Sequence, residues 1–304
     1  MFEADDIKRL GIELRKLFPD LKTVTPLRVL GSGFNSTALE TAEGLVFRIA
    51  KNEWAAAGYR KEARFLPVMA AQLPTPIPDP QWYAATSGTF PFGVIGYRKL
   101  AGTPMTNNVS NLNQDTLAGS IAQFLMALHG IPLDVVEGMK RSEVADYTAL
   151  RESVMPTLRT TLTSGEYATI ATWWERFLVD VNVTAYQPVV CHGDLWYENM
   201  LVDDTAQQVT GVLDFENMTI SDPALDFVAL LYLGEAFVAQ VIRAYEKAGG
   251  MLGGDFLRRL NWLWGLREFG GVAYSVRFDD AEELADSIEK IRKGPILTPR
   301  EFRI

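Results

Sequence analysis

Short β-type runs crowd the first third of this chain, and long helical periodicities fill most of the remainder. That change of texture excludes an evenly alternating βαβ order, and it excludes an all-helical or all-β architecture. Residues 5–18 place Ile7, Leu10, Leu14, Leu17 and Phe18 at helical spacing ahead of Pro19, which predicts an opening amphipathic helix. Between Leu27 and Ala50 the runs Arg28-Val29-Leu30, Thr37 to Glu40 and Leu45 to Ile49 are broken by Gly31-Ser32-Gly33 and Ala42-Glu43-Gly44, which predicts two hairpin-like strand pairs. A helix is expected over 53–72, stopped by the proline-rich run from Leu73 to Pro80, where ring closure removes amide donors. Strands are expected over 81–85 and 92–100, and Ala101-Gly102-Thr103-Pro104 reads as a linker. Further helices are expected over 115–129, 166–183, 222–233, 236–248, 255–274 and 280–293, with short strands at 188–191, 200–202 and 209–214. The chain therefore reads as α+β and bilobal. A β-rich N-terminal lobe with one main helix spans residues 1–100, and a larger, mostly helical C-terminal lobe spans 101–304 with a β-hairpin near its centre.

Charge narrows the partners. The chain has 29 Lys and Arg against 38 Asp and Glu, a formal net charge of −9. A nucleic-acid footprint needs clustered basic residues, so no nucleic-acid partner is expected, whereas a negative field focused in a cleft favours a cationic small molecule. Cys191 is the single cysteine, which excludes an intrachain disulfide and a cysteine-based zinc cage. The N-terminus lacks the basic start and apolar core of a signal peptide, and no apolar run approaches the ~18 residues of a membrane span. A cytoplasmic protein without a membrane partner is expected.

The densest chemistry lies in Val190-Cys191-His192-Gly193-Asp194-Leu195-Trp196-Tyr197-Glu198-Asn199-Met200, followed by Gly211-Val212-Leu213-Asp214-Phe215-Glu216. Asp194 and Asn199 share a loop leaving a strand, and Asp214 ends the second strand of the hairpin that starts at Met200. A hairpin returns the chain to where it began, so Asp214 should come back beside Asn199. A carboxylate plus an amide oxygen suits a hard cation such as Mg²⁺, which takes oxygen ligands together with substrate phosphates. Asp194 is then left for another task, and in phosphoryl transfer a loop carboxylate accepts or orients the proton of the attacking hydroxyl. Turn and cap duty is the plainer use of such Asp and Asn residues.

The set His192-Gly193-Asp194 with Asn199, Asp214-Phe215, and Ser221-Asp222-Pro223 leading into Asp226 resembles the aminoglycoside phosphotransferase family, whose fold is similar to the eukaryotic protein kinases. The resemblance covers nearly the whole chain. It is closest to the aminoglycoside 2″-phosphotransferase-like branch, through Ile220-Ser221-Asp222-Pro223 and Arg267-Glu268-Phe269-Gly270. It implies a bilobal protein-kinase-like fold, Asp194 as catalytic base, Asn199 and Asp214 as Mg²⁺ ligands, and His192 as a structural member of the loop. The implied activity moves the γ-phosphate of a Mg²⁺-bound ATP or GTP to a small-molecule hydroxyl, an aminoglycoside being one such acceptor. Two alternatives stay open: a metabolic kinase of a sugar, choline-like compound or amino alcohol, and a catalytically silent protein that binds a ligand.

Gly31, Ser32, Gly33, Asn35 and Ser36 form a loop between two strands, whose free amides can meet phosphate oxygens; a plain tight turn fits the same residues. On the next strand Arg48 alternates away from Phe47 and Ile49, and on the following helix Glu62 shares a face with Leu66 and Met69. A buried carboxylate needs a partner, so Arg48 and Glu62 are expected to pair, with Arg standing where a kinase has Lys. Lys51 faces the other way and reads as a surface lysine. Tyr97 and Lys99 fall in the expected hinge that meets the nucleobase. Cys191 reads as a small buried hydrophobe rather than a nucleophile. His129 reads as a helix-end residue, and Asp222 as a cap that also braces the catalytic loop by resemblance. For a cationic acceptor the candidates are Glu235, Glu268, Asp279 and Asp280, set among Trp262, Trp264, Phe269 and Tyr274; solvated helix faces and a helix start explain them equally well.

Overall fold

The computed structural model describes residues 4–22, 27–33, 35–110, 112–183 and 186–304. Its N-terminal part is a five-stranded antiparallel sheet in the order β1-β2-β3-β5-β4, built from β1 (Leu27–Ser32), β2 (Ser36–Thr41), β3 (Leu45–Ala50), β4 (Trp82–Ala84) and β5 (Val94–Arg98). Helix α1 (Ala4–Leu17) covers one face, where Leu10 and Leu14 pack with Leu39, Phe47 and Val94. Helix α2 (Glu53–Ala70) covers the other, where Ala55 and Tyr59 pack with Ala50 and Ile95. Strand alternation thus gives Phe47 to one layer and Arg48 to the other. Asn52 caps α2 by accepting from the Ala55 amide at 2.9 Å, which fixes where the helix starts.

The larger C-terminal part is helical. In chain order it contains β6 (Thr103–Pro104), α3 (Gln114–His129), α4 (Val144–Thr161), α5 (Ser164–Val183), β7 (Val189–Cys191), β8 (Met200–Val202), β9 (Val209–Val212) and β10 (Thr219–Ser221). Then come α6 (Leu225–Val228), α7 (Glu235–Lys247), α8 (Phe256–Phe278) and α9 (Ala281–Lys293). Helix α3 packs on α7, and α8 on α4 and α9, around an aromatic core that holds Trp174, Phe177 and Phe269. Two small sheets, β6-β8-β9 and β7-β10, are set into this body and carry the loops of the site. No helix among the described residues is long and apolar enough to cross a membrane.

Several elements depart from the sequence reading, among them β10, a strand that was not expected. The expected linker at 101–104 contains β6, whose Thr103 and Pro104 pair with Val202 and Leu201. The proline sits on an edge strand, where its missing donor costs nothing. Helix α4 was not expected, and it runs through Pro156. The single helix expected over 222–233 is instead a short α6 followed by a 3₁₀ turn at Ala229–Leu233.

Candidate active site

Strand β7 delivers the chain into His192-Gly193-Asp194, and that loop is pinned from below. Gly193 sits at φ +83°, and a Cβ there would lie 2.4 Å from the Asn217 carbonyl oxygen, so only glycine fits. The wholly buried Asp226 accepts from the amides of His192 at 2.9 Å and Gly193 at 2.8 Å. His129 Nε2 donates to the same carboxylate at 3.1 Å, and His129 Nδ1 meets the Tyr245 hydroxyl at 2.9 Å. Burial alone would raise the Asp226 pKa, but the His129 hydrogen bond and the neighbouring imidazoles and amide hold it below the ordinary value. The His192 ring links two loops: Nδ1 accepts from the Asp194 amide at 3.2 Å, so Nε2 carries the proton it donates to the Leu213 carbonyl at 2.9 Å.

His129, Cys191 and Asp226 lie close enough to resemble a metal cluster. Burial drives the Cys191 thiol pKa well above its ordinary value, and its sulfur donates to the Asp222 carbonyl. A protonated thiol and a histidine already bonded to the carboxylate make a packed brace, not a ligand set. Asp222 does more than cap: it accepts from the Ala224 amide at 2.9 Å and forms a buried ion pair with Arg259 at 2.6 Å.

The hairpin return brings the next two groups together. The Leu213 amide donates to the Asn199 carbonyl at 2.8 Å, which sets Asp214 beside Asn199. Asn199 Nδ2 donates to the Asp194 carbonyl at 3.1 Å, leaving its amide oxygen without a protein partner among the described residues. Asp214 adopts φ +63°, a left-handed conformation that a non-glycine residue holds only where its surroundings over-determine it.

Arg48 is the hub on the opposite side. Its Nη1 lies 3.0 Å from both oxygens of Glu62, and its Nη2 reaches Asp214 at 3.2 Å and Glu216 at 2.8 Å. Burial lifts the Glu62 pKa in spite of Arg48, while Glu62 and Asp214 more than offset the burial of Arg48 and hold it more firmly protonated. One guanidinium therefore faces three carboxylates. Burial and the Asp214 charge push the Glu216 carboxyl up to about 7. Gly58 of α2 makes room for Glu216, since a Cβ there would stand 3.0 Å from its Cγ.

The glycine loop leans on the same group. Asn35 Nδ2 donates to Glu216 at 3.1 Å, and Lys51 Nζ donates to Ser32 Oγ at 2.8 Å and to the Gly33 carbonyl. Lys51 is thus placed over the loop and not on an idle surface. Gly31 and Gly33 have open space around them, Ser36 opens β2, and Phe34 lies outside the described residues. Tyr97 is buried on the Arg48 layer, with its hydroxyl pushed up to about 12, chiefly by burial. Lys99 is turned to Glu40 at 2.9 Å, and its amide donates to the Gly44 carbonyl, so it braces the sheet.

Asp194 has a cationic neighbour that sequence reasoning did not anticipate. Arg267 of α8 places Nη1 3.0 Å from Asp194 Oδ1, with its guanidinium 5.1 Å from the Trp196 ring centroid and 5.5 Å from that of Tyr232. Glu268 accepts from the Tyr232 hydroxyl and lies 3.8 Å from Arg267 Nε. The other acidic candidates go elsewhere. Asp279 closes α8 at φ +54°, Asp280 caps α9 by accepting from the amides of Glu282 and Glu283, and Glu235 is exposed in the first turn of α7. Glu216 was also missed. Its one sequence signal is an acid two residues after Asp214, in the turn beyond the strand that returns to Asn199.

Known proteins show the same organisation. A sequence profile of the phosphotransferase enzyme family matches residues 26–262. The uncharacterized protein YcbJ of Bacillus subtilis (strain 168) is 29% identical over 205 residues, 62% of this chain and 62% of that protein. Viomycin phosphotransferase of Streptomyces vinaceus is 30% identical over 105 residues, 34% of this chain and 36% of that protein. The chain thus spans less than two thirds of the length of either relative. Among solved structures, the GDP and kanamycin complex of APH(2″)-IIIa superposes with a TM-score of 0.82 at 24% identity, covering 94% of this chain and 97% of that one. Macrolide 2′-phosphotransferase type I does so with 0.74 at 22% identity, over 95% and 98%. These likenesses show the kinase-like α+β fold.

Proposed function

The chain belongs to the phosphotransferase enzyme family whose profile spans residues 26–262, and from that premise we propose that it transfers the γ-phosphoryl group of ATP or GTP to a hydroxyl of a small molecule. The observation that carries this reading is the convergence of Asp194, Asn199 and Asp214, with a hydrogen bond from Asn199 to the Asp194 backbone and a β-hairpin return from Asn199 to Asp214. Residues 1–100 would hold the nucleotide and 101–304 the acceptor, and a nucleoside triphosphate donor makes the cytoplasm the natural compartment.

A divalent cation fits the residues present. Asp214 offers a half-exposed carboxylate, Asn199 an unshared amide oxygen, and the surrounding Glu62, Asp214 and Glu216 outnumber Arg48 three to one. Bound Mg²⁺ would supply charge neutralisation on the nucleotide phosphates. The remaining chemistry belongs to the chain. Asp194 receives Arg267 on Oδ1, which leaves Oδ2 to accept the proton of the acceptor hydroxyl. The loop at Gly31 to Ser36, whose Gly33 amide is held by the Ser36 carbonyl, meets the phosphates with Lys51 beside it. Arg48 can keep Glu62 on Nη1 while Nη2 turns from Asp214 or Glu216 to a phosphate.

The test is phosphate transfer from labelled ATP and GTP to a panel of aminoglycosides, macrolides, sugars and amino alcohols, with Asp194→Asn as control. Acceptor-dependent product from the wild type and none from Asp194→Asn, with nucleotide still bound, is the expected result. Equal turnover in the variant refutes the assignment.

A further inference from the structure

Beside the Asp194–Arg267 pair, α8, α9 and the segment after α9 enclose a cavity whose walls include Tyr232, Trp264, Glu268, Lys290, Lys293 and Arg300. Tyr232 and Glu268 belong both to this cavity and to the surroundings of Arg267, so its inner end abuts the group that holds Asp194. Its charge is the reverse of what a polyamine requires. Glu268 is its one acid, and that carboxylate already receives the Tyr232 hydroxyl and faces Arg267. Among the cations, Lys290 has Asp286 at 2.7 Å and Lys293 pairs with Glu289. Arg300 has no carboxylate partner among the described residues; its guanidinium lies 4.6 Å from the Trp264 ring centroid. A planar fork stacked on an indole is preorganised to receive two oxygens of a carboxylate or phosphate. A cationic acceptor would instead bring ammonium groups against Lys290, Lys293 and Arg300, with no unshared acid on the cavity wall to meet them.

Resting on the phosphotransferase reading above, we infer that this cavity is the acceptor site and that its acceptor is an alcohol carrying an anionic oxygen group, a carboxylate or a phosphate, on an apolar body. Arg300 holds the anionic group at the rim, Trp264 and Tyr232 flank the body, and the hydroxyl points to Asp194. The acceptor oxygen forms a bond to the γ-phosphorus, the bond from that phosphorus to the bridging oxygen of the leaving nucleoside diphosphate breaks, and the hydroxyl proton passes to Asp194.

The full-length protein is assayed with ATP or GTP and Mg²⁺ against 3-phenyllactate, glycerol 3-phosphate, glycerol and kanamycin, as wild type and as the exposed-residue variant Arg300→Gln. Binding of 3-phenyllactate and glycerol 3-phosphate to the nucleotide-loaded protein is followed in parallel by the fluorescence of Trp264, with Trp264→Phe as the blank. At least one anionic probe should bind or react, and Arg300→Gln should weaken its KM or Kd about tenfold with kcat nearly unchanged. The carboxylate and phosphate arms tell the two sources apart. Turnover of kanamycin alone, or anionic probes that neither react nor bind better than glycerol, overturns the acceptor class while leaving the phosphotransferase reading intact. Loss of product with every acceptor, including kanamycin, together with no nucleotide binding, overturns that reading itself.

Discussion

Arg267 Nη1 and Asp194 Oδ1 stand 3.0 Å apart across 73 positions of sequence, joining α8 to the loop that leaves β7. The guanidinium is packed against Trp196 and Tyr232, so it orients the carboxylate as well as balancing its charge. In the proposed transfer Asp194 meets a hydroxyl within hydrogen-bond reach, and a displacement of about 1 Å in such a group can cost roughly 10²-fold in rate. Arg267→Gln should therefore lower kcat by about 10- to 100-fold and leave the nucleotide KM within about twofold, with Arg267→Lys between the two. Steady-state kinetics on both variants decide it. A drop in melting temperature with kcat unchanged would mean that Arg267 only packs α8.

At Arg48 one side chain serves Glu62, Asp214 and Glu216 together. Removing it leaves a fully buried Glu62 without a cation, and breaking a buried pair in this way costs about 3–5 kcal/mol. Arg48→Met should show a loss of that order in urea unfolding. Arg48→Lys keeps the charge but replaces a fork with a point, so it should fall between, and it should lower nucleotide affinity more than it lowers stability.

The legible and hidden parts of this site divide by the range of the contact. Asn199 meeting Asp214 follows from a hairpin of known direction, and Arg48 meeting Glu62 follows from strand alternation together with helix periodicity. Both are local rules applied to neighbouring elements. Arg267 meeting Asp194 depends on how α8 docks, which no spacing encodes, and Lys51 over Ser32 depends on the bend of the glycine loop. The two-part α+β order was legible because the periodicity changes near residue 100. Helix α4 was not, since Pro156 reads as a helix breaker although the helix runs through it, and only Val154 and Leu158 are fully buried, too thin an apolar stripe to announce a helix. The acids proposed for a cationic acceptor illustrate the same limit: Asp280 proves to be a helix cap, a role that its position before a helix had equally allowed.

Glu216 gives a pH signature. Its carboxyl is raised from an ordinary 4.5 to about 7, so the folded protein holds this proton more tightly than the unfolded chain. The stabilising contribution is complete below about pH 4.5 and is lost as pH rises through about 7. In metal-free buffer the melting temperature of the wild type should decline between pH 5 and 8 relative to Glu216→Gln, which has no proton to lose. Mg²⁺ at pH 8 should raise the wild type more than the variant, because only the wild type has the added Glu216 charge to neutralise. Parallel curves for the two proteins would remove Glu216 as the origin.

Gly193 tests the loop itself. An alanine there must hold φ +83° and place its Cβ 2.4 Å from the Asn217 carbonyl oxygen, so either the loop or the Asn217 turn must move. A left-handed backbone alone costs a non-glycine residue about 1–3 kcal/mol. Gly193→Ala should show at least that loss in denaturant unfolding, and a fall in kcat larger than its change in nucleotide KM, because Asp194 is the next residue.

Asp226 sits one layer deeper and touches no reacting group, yet the amides of His192 and Gly193 and the ring of His129 all donate to it. An asparagine keeps the shape but offers one acceptor oxygen where two were used, and it turns an N–H₂ toward a donor. One buried donor is then left unpaired, and a buried negative charge that His129 had met is gone. Asp226→Asn should destabilise the fold by about 3–5 kcal/mol at neutral pH. Because the folded pKa of Asp226 lies below its ordinary 3.8, the wild-type contribution is present above that value and is lost as pH falls through the lower one. The gap between wild type and variant in urea unfolding should thus be widest near neutrality and narrow in acid. In whatever fraction remains folded, kcat should fall while nucleotide binding persists, since the amides that Asp226 orients belong to the two residues that carry Asp194. A variant as stable as wild type at pH 7, with full turnover, would show that His129 and Tyr245 hold the loop without the carboxylate.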